Sequence, residues 1–144
     1  MFTLFNSPLK SSWDLDLLDS PLLTDPLSKM IDLYYTKLYA NIPNLLIKDY
    51  NETSNMEFVY TAMHGVGYPY IERAFKIAKL NPVIPVMEQR DPDPEFSTVK
   101  FPNPEEGKSS LVLSIKLANQ TGNSIILAND PDADRLACAE KNAM

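Results

Sequence analysis

Ile125-Ile126-Leu127-Ala128-Asn129-Asp130-Pro131-Asp132-Ala133-Asp134-Arg135 decides how this chain is read. The segment from Ser124 to Ala128 is a nearly unbroken apolar run of strand length, the pattern of a strand covered on both faces of a sheet. It delivers three carboxylates at alternate positions into a tight loop, and an arginine follows at once. Carboxylates this close repel one another unless a cation neutralises them. Hard divalent ions take oxygen ligands, and magnesium commonly keeps positions open for water or phosphate oxygens. The forked guanidinium of Arg135 suits the same phosphate. Ligands bind α/β sheets beyond the carboxyl ends of the strands, where this loop sits. The plain alternative is a solvated acidic turn.

Working outward, Leu136 to Glu140 reads as a further strand. Cys138 lies in its apolar run Leu136-Ala137-Cys138-Ala139 and reads as a small buried hydrophobe. Upstream, Asn103-Pro104-Glu105-Glu106 carries the marks of a helix start: Asn103 as cap, Pro104 in the first turn, Glu106 closing a capping box. Leu111, Ile115 and Ala118 give that helix a buried side, and Gly122 stops it. Before it runs a long proline-rich loop, Arg90 to Pro104, of a length that in a compact domain is usually functional or unusually well packed. Pro82 to Met87 reads as a short strand. Pro69 starts a helix with the stripe Ile71, Ala74, Phe75 and Ala78, behind a turn containing Gly65 and Gly67. Met56 to Ala62 reads as another strand.

The alternation predicts an α/β fold: a small layered domain, over residues 51–144, with a mostly parallel or mixed sheet of about four strands between helices. Residues 1–50 read as a lead-in, with Pro8, Pro21, Pro26 and Pro43, no glycine and one helix. That helix follows Pro26, is capped by Asp25 and has an apolar face of Leu27, Met30, Ile31, Tyr34 and Leu38.

The composition fits one soluble globular domain: 144 residues, 44% hydrophobic and 22% charged. Nineteen acidic residues against 13 basic, a net charge of -6, argue against nucleic acid or an anionic membrane as partner. No apolar stretch is long enough to span a membrane, and Met1 to Phe5 lacks the features of a signal peptide. The single cysteine suits a reducing compartment, so the expected location is cytoplasmic. The triplets Asn51-Glu52-Thr53 and Asn119-Gln120-Thr121 match the glycosylation pattern, which arises often by chance. His64, the sole histidine, is either a turn residue before Gly65 or part of a cleft lining. Lys100 and Arg90 lie on the long loop, where they either face solvent or meet an anionic substrate.

The acidic loop has two other readings. A calcium loop of the EF-hand type wants Gly at its sixth position and Glu at its twelfth, where Arg135 and Asn142 stand. A haloacid-dehalogenase-like phosphatase would use Asp130 as nucleophile, but its pattern has Thr or Val where Asp134 stands; it stays as the enzymatic alternative.

Asn129-Asp130-Pro131-Asp132-Ala133-Asp134-Arg135-Leu136 resembles the metal loop of the α-D-phosphohexomutase superfamily. The Pro and Ala inside it look like the phosphopentomutase and phosphoglucomutase branch of animals. Thr61 to Gly67, Glu88 to Phe96 and Thr98 to Glu106 agree with the same branch, as does Trp13 to Leu23. The resemblance implies that Asp130, Asp132 and Asp134 hold Mg2+, that a phosphoserine oxygen is the fourth ligand, and that Arg135 contacts phosphate. It also implies an isomerase in which phosphoserine and a sugar bisphosphate exchange a phosphoryl group with a phosphosugar substrate. The chain matches the second, metal-binding domain and its lead-in. The serine loop belongs to an earlier domain and sugar recognition to later ones, so the isolated chain is expected to be inactive without those mutase domains. A non-catalytic metal- or phosphate-binding module is the alternative of a different class.

Overall fold

A mixed sheet forms the frame, with strand order β2-β1-β3-β4. The computed structural model from which this architecture is taken describes residues 18–41, 50–105 and 109–142. The strands are β1 (Val59–Thr61), β2 (Ile84–Pro85), β3 (Ile125–Asn129) and β4 (Leu136–Glu140); the helices are α1 (Leu27–Asn41), α2 (Tyr68–Ile77) and α3 (Val112–Thr121). β1 pairs in parallel with β2 and with β3, through Val59↔Ile84 and Val59↔Ile126. β4 returns antiparallel along β3, with Asn129↔Leu136 as the pair beside the acidic loop. The expected α/β sheet between helices is therefore the one observed, in its mixed form.

Alternation along β1 sends successive side chains to opposite faces and so builds two cores. Val59 joins Val86, Ala118 and Ile126 on the α3 side, with Leu113 and Leu117 against them. Tyr60 joins Ala62, Phe75 and Val83 on the α2 side, with Ile71 and Leu127 against them. Phe58 meets Phe75 edge to face at 5.4 Å between ring centres. α2 opens with Pro69 in its first turn, where the missing N–H is no loss. α3 ends at Gly122, whose φ of 78° is the left-handed cap that glycine adopts without strain.

Several elements differ from the sequence reading. The helix expected from Pro104 begins at Val112 instead. Asn103 does accept a bond from the Glu105 N–H at 3.0 Å, but the result is a local turn. Glu106 of the expected capping box lies outside the described residues, as do Met1 to Phe5 and the Trp13 end of the lead-in. β1 covers only Val59–Thr61 of the expected Met56 to Ala62. Cys138 is exposed, not buried. On the edge strand β4 exposure alternates, so Leu136, Cys138 and Glu140 share the open face while Ala137 and Ala139 turn inward.

The chain divides between Tyr34 and Tyr35 into two compact units. In the first, Asp25 Oδ1 accepts from the Leu27 N–H at 2.9 Å and so caps α1 as expected. Leu27, Met30 and Tyr34, expected on the apolar face, are exposed. In the second unit Leu38 is exposed as well, and the buried residue of α1 is Tyr35. Its hydroxyl donates to the Tyr70 carbonyl at 2.6 Å, and the Arg73 guanidinium lies 4.8 Å from its ring centre. A tyrosine satisfied at its polar tip buries its ring at little cost.

Candidate metal and phosphate site

Three loops meet at the carboxyl ends of the parallel strands. The turn after β1 is tied to the segment after β2 by His64 N–H donating to Gln89 O at 3.0 Å and Asp93 N–H donating to His64 O at 3.1 Å. It is tied to the acidic loop by Val66 N–H donating to Pro131 O at 2.9 Å. Gly65 lets the last two approach: a Cβ there would lie 2.1 Å from the Pro131 carbonyl oxygen. That is backbone against backbone, so only glycine permits it.

The acidic loop is folded by its own groups. Ala133 N–H donates to Asp130 O at 3.0 Å, and Ala133 takes a positive φ of 60° to close the turn. Asp130 is buried at 1% exposure, and both of its oxygens are engaged by Arg135, Oδ1 by the backbone N–H at 3.0 Å and Oδ2 by Nε at 2.8 Å. Burial pushes the Asp130 carboxyl up, but these hydrogen bonds outweigh it and leave the group below its ordinary value. Asp134 is shifted the opposite way, by its hydrogen bond with Asp130 and then by the charge of Asp132. The loop thus stores like-charge repulsion that a cation relieves.

One carboxylate oxygen from each of Asp130, Asp132 and Asp134 lies within 4.8 Å of the others. Oxygens on one octahedral magnesium stand about 3 Å apart when adjacent and about 4.2 Å when opposite. Asp130 is fixed, whereas Asp132 and Asp134 are exposed and can turn inward to that spacing. The donor set is all oxygen and all anionic. The residues therefore fit a hard divalent ion.

Arg135 bridges Asp130 and Asp134, its Nε also 3.5 Å from Asp134 Oδ1, with its side chain 43% exposed. Of the other residues singled out from sequence, His64 is buried in a network of its own. Thr61 Oγ1 donates to Gln89 Oε1 at 2.7 Å, and Gln89 Nε2 donates to Thr98 Oγ1 at 3.0 Å. Thr98 Oγ1 lies 2.7 Å from His64 Nε2, and Asp93 Oδ2 lies 3.8 Å from His64 Nδ1. His64 thus ties the turn after β1 to the segment after β2. Arg90 pairs in two-pronged fashion with its neighbour Asp91, at 3.0 and 2.7 Å, and stacks over Tyr68. Lys100 is exposed on the loop. The structure brings together the three aspartates and Arg135, and keeps His64, Lys100 and Arg90 out of that cluster.

Sequence reasoning passed over Tyr60 and Asn129. The Tyr60 hydroxyl donates to Asn129 Oδ1 at 3.1 Å, and Asn129 Nδ2 donates to Arg135 O at 2.6 Å. A hydroxyl at the centre of a buried strand, which must find a partner, was the available signal.

This fold and this site define the chain's class: it belongs to the phosphoglucomutase/phosphomannomutase family, whose α/β/α domain II matches residues 32–143. It is 48% identical over 134 residues, 92% of its length, to human glucose 1,6-bisphosphate synthase, and 48% identical over 135 residues to human phosphopentomutase. A probable phosphoribomutase of Schizosaccharomyces pombe shares 47% identity over 91 residues, 62% of the chain. The chain spans about a fifth of the two human relatives, 21% and 22% of their lengths. No solved structure matches it. Among the described residues, no helix is long and apolar enough to cross a membrane.

Proposed function

We propose that this chain is the magnesium-binding domain of a cytoplasmic phosphosugar mutase, with Asp130, Asp132 and Asp134 as the protein ligands and Arg135 as a phosphate contact. The observation that carries the reading is the convergence of three carboxylate oxygens within 4.8 Å at the end of β3, anchored by one buried aspartate. A bound magnesium supplies charge neutralisation for phosphoryl oxygens and holds them in line for transfer.

The chain's own residues prepare the place for that chemistry. Arg135 fixes Asp130 through N and Nε, which fixes the direction from which the buried carboxylate meets a ligand. The remaining guanidinium nitrogens, on a half-exposed side chain, are placed to grip a phosphate beside the ion. The Val66 N–H bond to the Pro131 carbonyl ties the loop to the turn after β1. The substrate class is a sugar phosphate, by family membership and by the names of the relatives. On the family's plan the phosphoserine and the sugar-recognising groups belong to other domains, and no Thr-Ala-Ser-His-Asn-Pro-like stretch occurs among the 144 residues. The chain alone therefore has no turnover.

Calorimetric titration of the chain with Mg2+, against Asp132→Asn, tests the site. Heat from the wild type and its loss in the variant is the expected result; equal heats in both remove the metal assignment. Conversion of glucose 1-phosphate by the purified chain, with Mg2+ and the bisphosphate supplied, would overturn the inactivity.

A further inference from the structure

The acidic loop closes as a hairpin between β3 and β4, and the Asn129 side chain crosses its mouth beside the Asp130 carboxylate that holds Arg135. Asn129 is the last residue of β3, and its amide nitrogen reaches across to the carbonyl of Arg135, the last residue before β4. Its oxygen is held by Tyr60, a residue 1% exposed whose ring is packed with Phe75 and Val83. The amide is thereby oriented: turned over, it would set its oxygen against the Arg135 carbonyl oxygen and lose that bond, and the Tyr60 hydroxyl would have to turn from donor to acceptor. The hydroxyl's position is set in turn by Gly67, where a Cβ would lie 2.3 Å from the Tyr60 oxygen. Burial keeps the Tyr60 hydroxyl protonated, its pKa pushed well up, so it remains a donor.

We infer that Tyr60 and Asn129 are positioning residues for the metal loop, which fix the width of its mouth and so the relative placement of Asp130 and Asp134 without touching the ion. The inference rests on the magnesium reading above. Groups that orient metal ligands from behind typically change affinity about 10- to 100-fold when removed. Removing the Tyr60 hydroxyl frees the Asn129 amide, and the Arg135 carbonyl then has no fixed partner across the mouth.

The test is Mg2+ titration calorimetry on the 144-residue chain, with each variant's fold followed by near-UV circular dichroism. Tyr60→Phe and Gly67→Ala are compared with wild type and with Tyr68→Phe, a control whose hydroxyl donates to Glu72 on the surface of α2. Expected is an affinity loss of about 10-fold or more in the first two, and none in the control. Mg2+ should then raise the melting point of these two variants less than that of wild type, a difference that a purely structural role for Tyr60 does not produce. Wild-type affinity in a folded Tyr60→Phe would overturn the positioning role and leave the metal site standing. No binding by the wild type would remove the metal reading and this inference with it. Should Tyr60→Phe not fold, Asn129→Ala, which leaves the ring packing intact, carries the same comparison.

Discussion

Replacing Gly65 by alanine should separate the acidic loop from the β1 turn. The added carbon would sit 2.1 Å from the carbonyl oxygen, 2.2 Å from Cα and 2.5 Å from the carbonyl carbon of Pro131. All three are backbone atoms, and none can rotate away. The turn must therefore open, and the Val66 to Pro131 bond at 2.9 Å goes with it. Overpacking of this kind costs about 1–3 kcal/mol. The lost hydrogen bond adds about 0.5–1.5 kcal/mol. Together, roughly 2–4 kcal/mol corresponds to a melting point roughly 10 °C lower for a chain of this size. Thermal unfolding by circular dichroism reads the change, and Mg2+ titration should show weakened binding as Pro131 carries Asp130 and Asp132 with it. Gly122→Ala is the internal contrast. There φ is 78° but nothing lies within 4 Å of the added carbon, so only backbone strain of about 1 kcal/mol is expected. If Gly65→Ala melts within about 2 °C of wild type and binds Mg2+ as tightly, the backbone contact does not govern the loop and the reasoning is wrong.

Other outcomes follow from the same contacts. Asp134 has its pKa raised by Asp130 and Asp132, so its neutral form is favoured by folding and its contribution is lost as pH rises through the raised value. In metal-free chain Asp134→Asn should flatten that limb of the melting curve against pH and raise the neutral-pH melting point, while abolishing the Mg2+-induced increase. Asp93 shows the reverse sign: hydrogen bonds from the Ser97 hydroxyl and the Glu95 and Ser97 N–H groups hold it at about 2. Its contribution is complete above the ordinary unfolded value of about 3.9 and is lost as pH falls toward about 2. Asp93→Asn should remove that acid limb, seen in unfolding curves between those limits. Ser114 is fully buried, and among the described residues its hydroxyl has no hydrogen-bond partner. Ser114→Ala should therefore be neutral or stabilise by about 1 kcal/mol in denaturant unfolding.

What the sequence displayed was the local half of each element. Gly122 and Pro69 marked helix ends because their effect is confined to one residue's backbone, and the apolar run to Ala128 marked a buried strand. The spacing of Asp130, Asp132 and Asp134 displayed the acidic cluster, since residues in one tight loop need no distant partner to meet. The misreadings came where tertiary contacts decide. Pro104 carries helix-start chemistry, yet Asn103 folds its bond into a turn and the helix waits until Val112. Cys138 lies among alanines, but β4 is an edge strand and the alternation puts it outside. On α1 the apolar face is exposed at Leu27, Met30, Tyr34 and Leu38, while the side chain that is buried, Tyr35, was not legible because it finds a carbonyl 35 residues away. The Tyr60–Asn129–Arg135 chain was equally hidden, because its ends are far apart in sequence and meet only through the β1–β3 register.

The most direct measurement of the metal assignment is anomalous scattering from a crystal of the chain soaked in Mn2+, a magnesium substitute with a usable absorption edge. The account predicts one strong peak within metal–oxygen bonding distance of carboxylate oxygens of Asp130, Asp132 and Asp134, absent in Asp132→Asn. A peak elsewhere, or none at full occupancy of the soak, would contradict it.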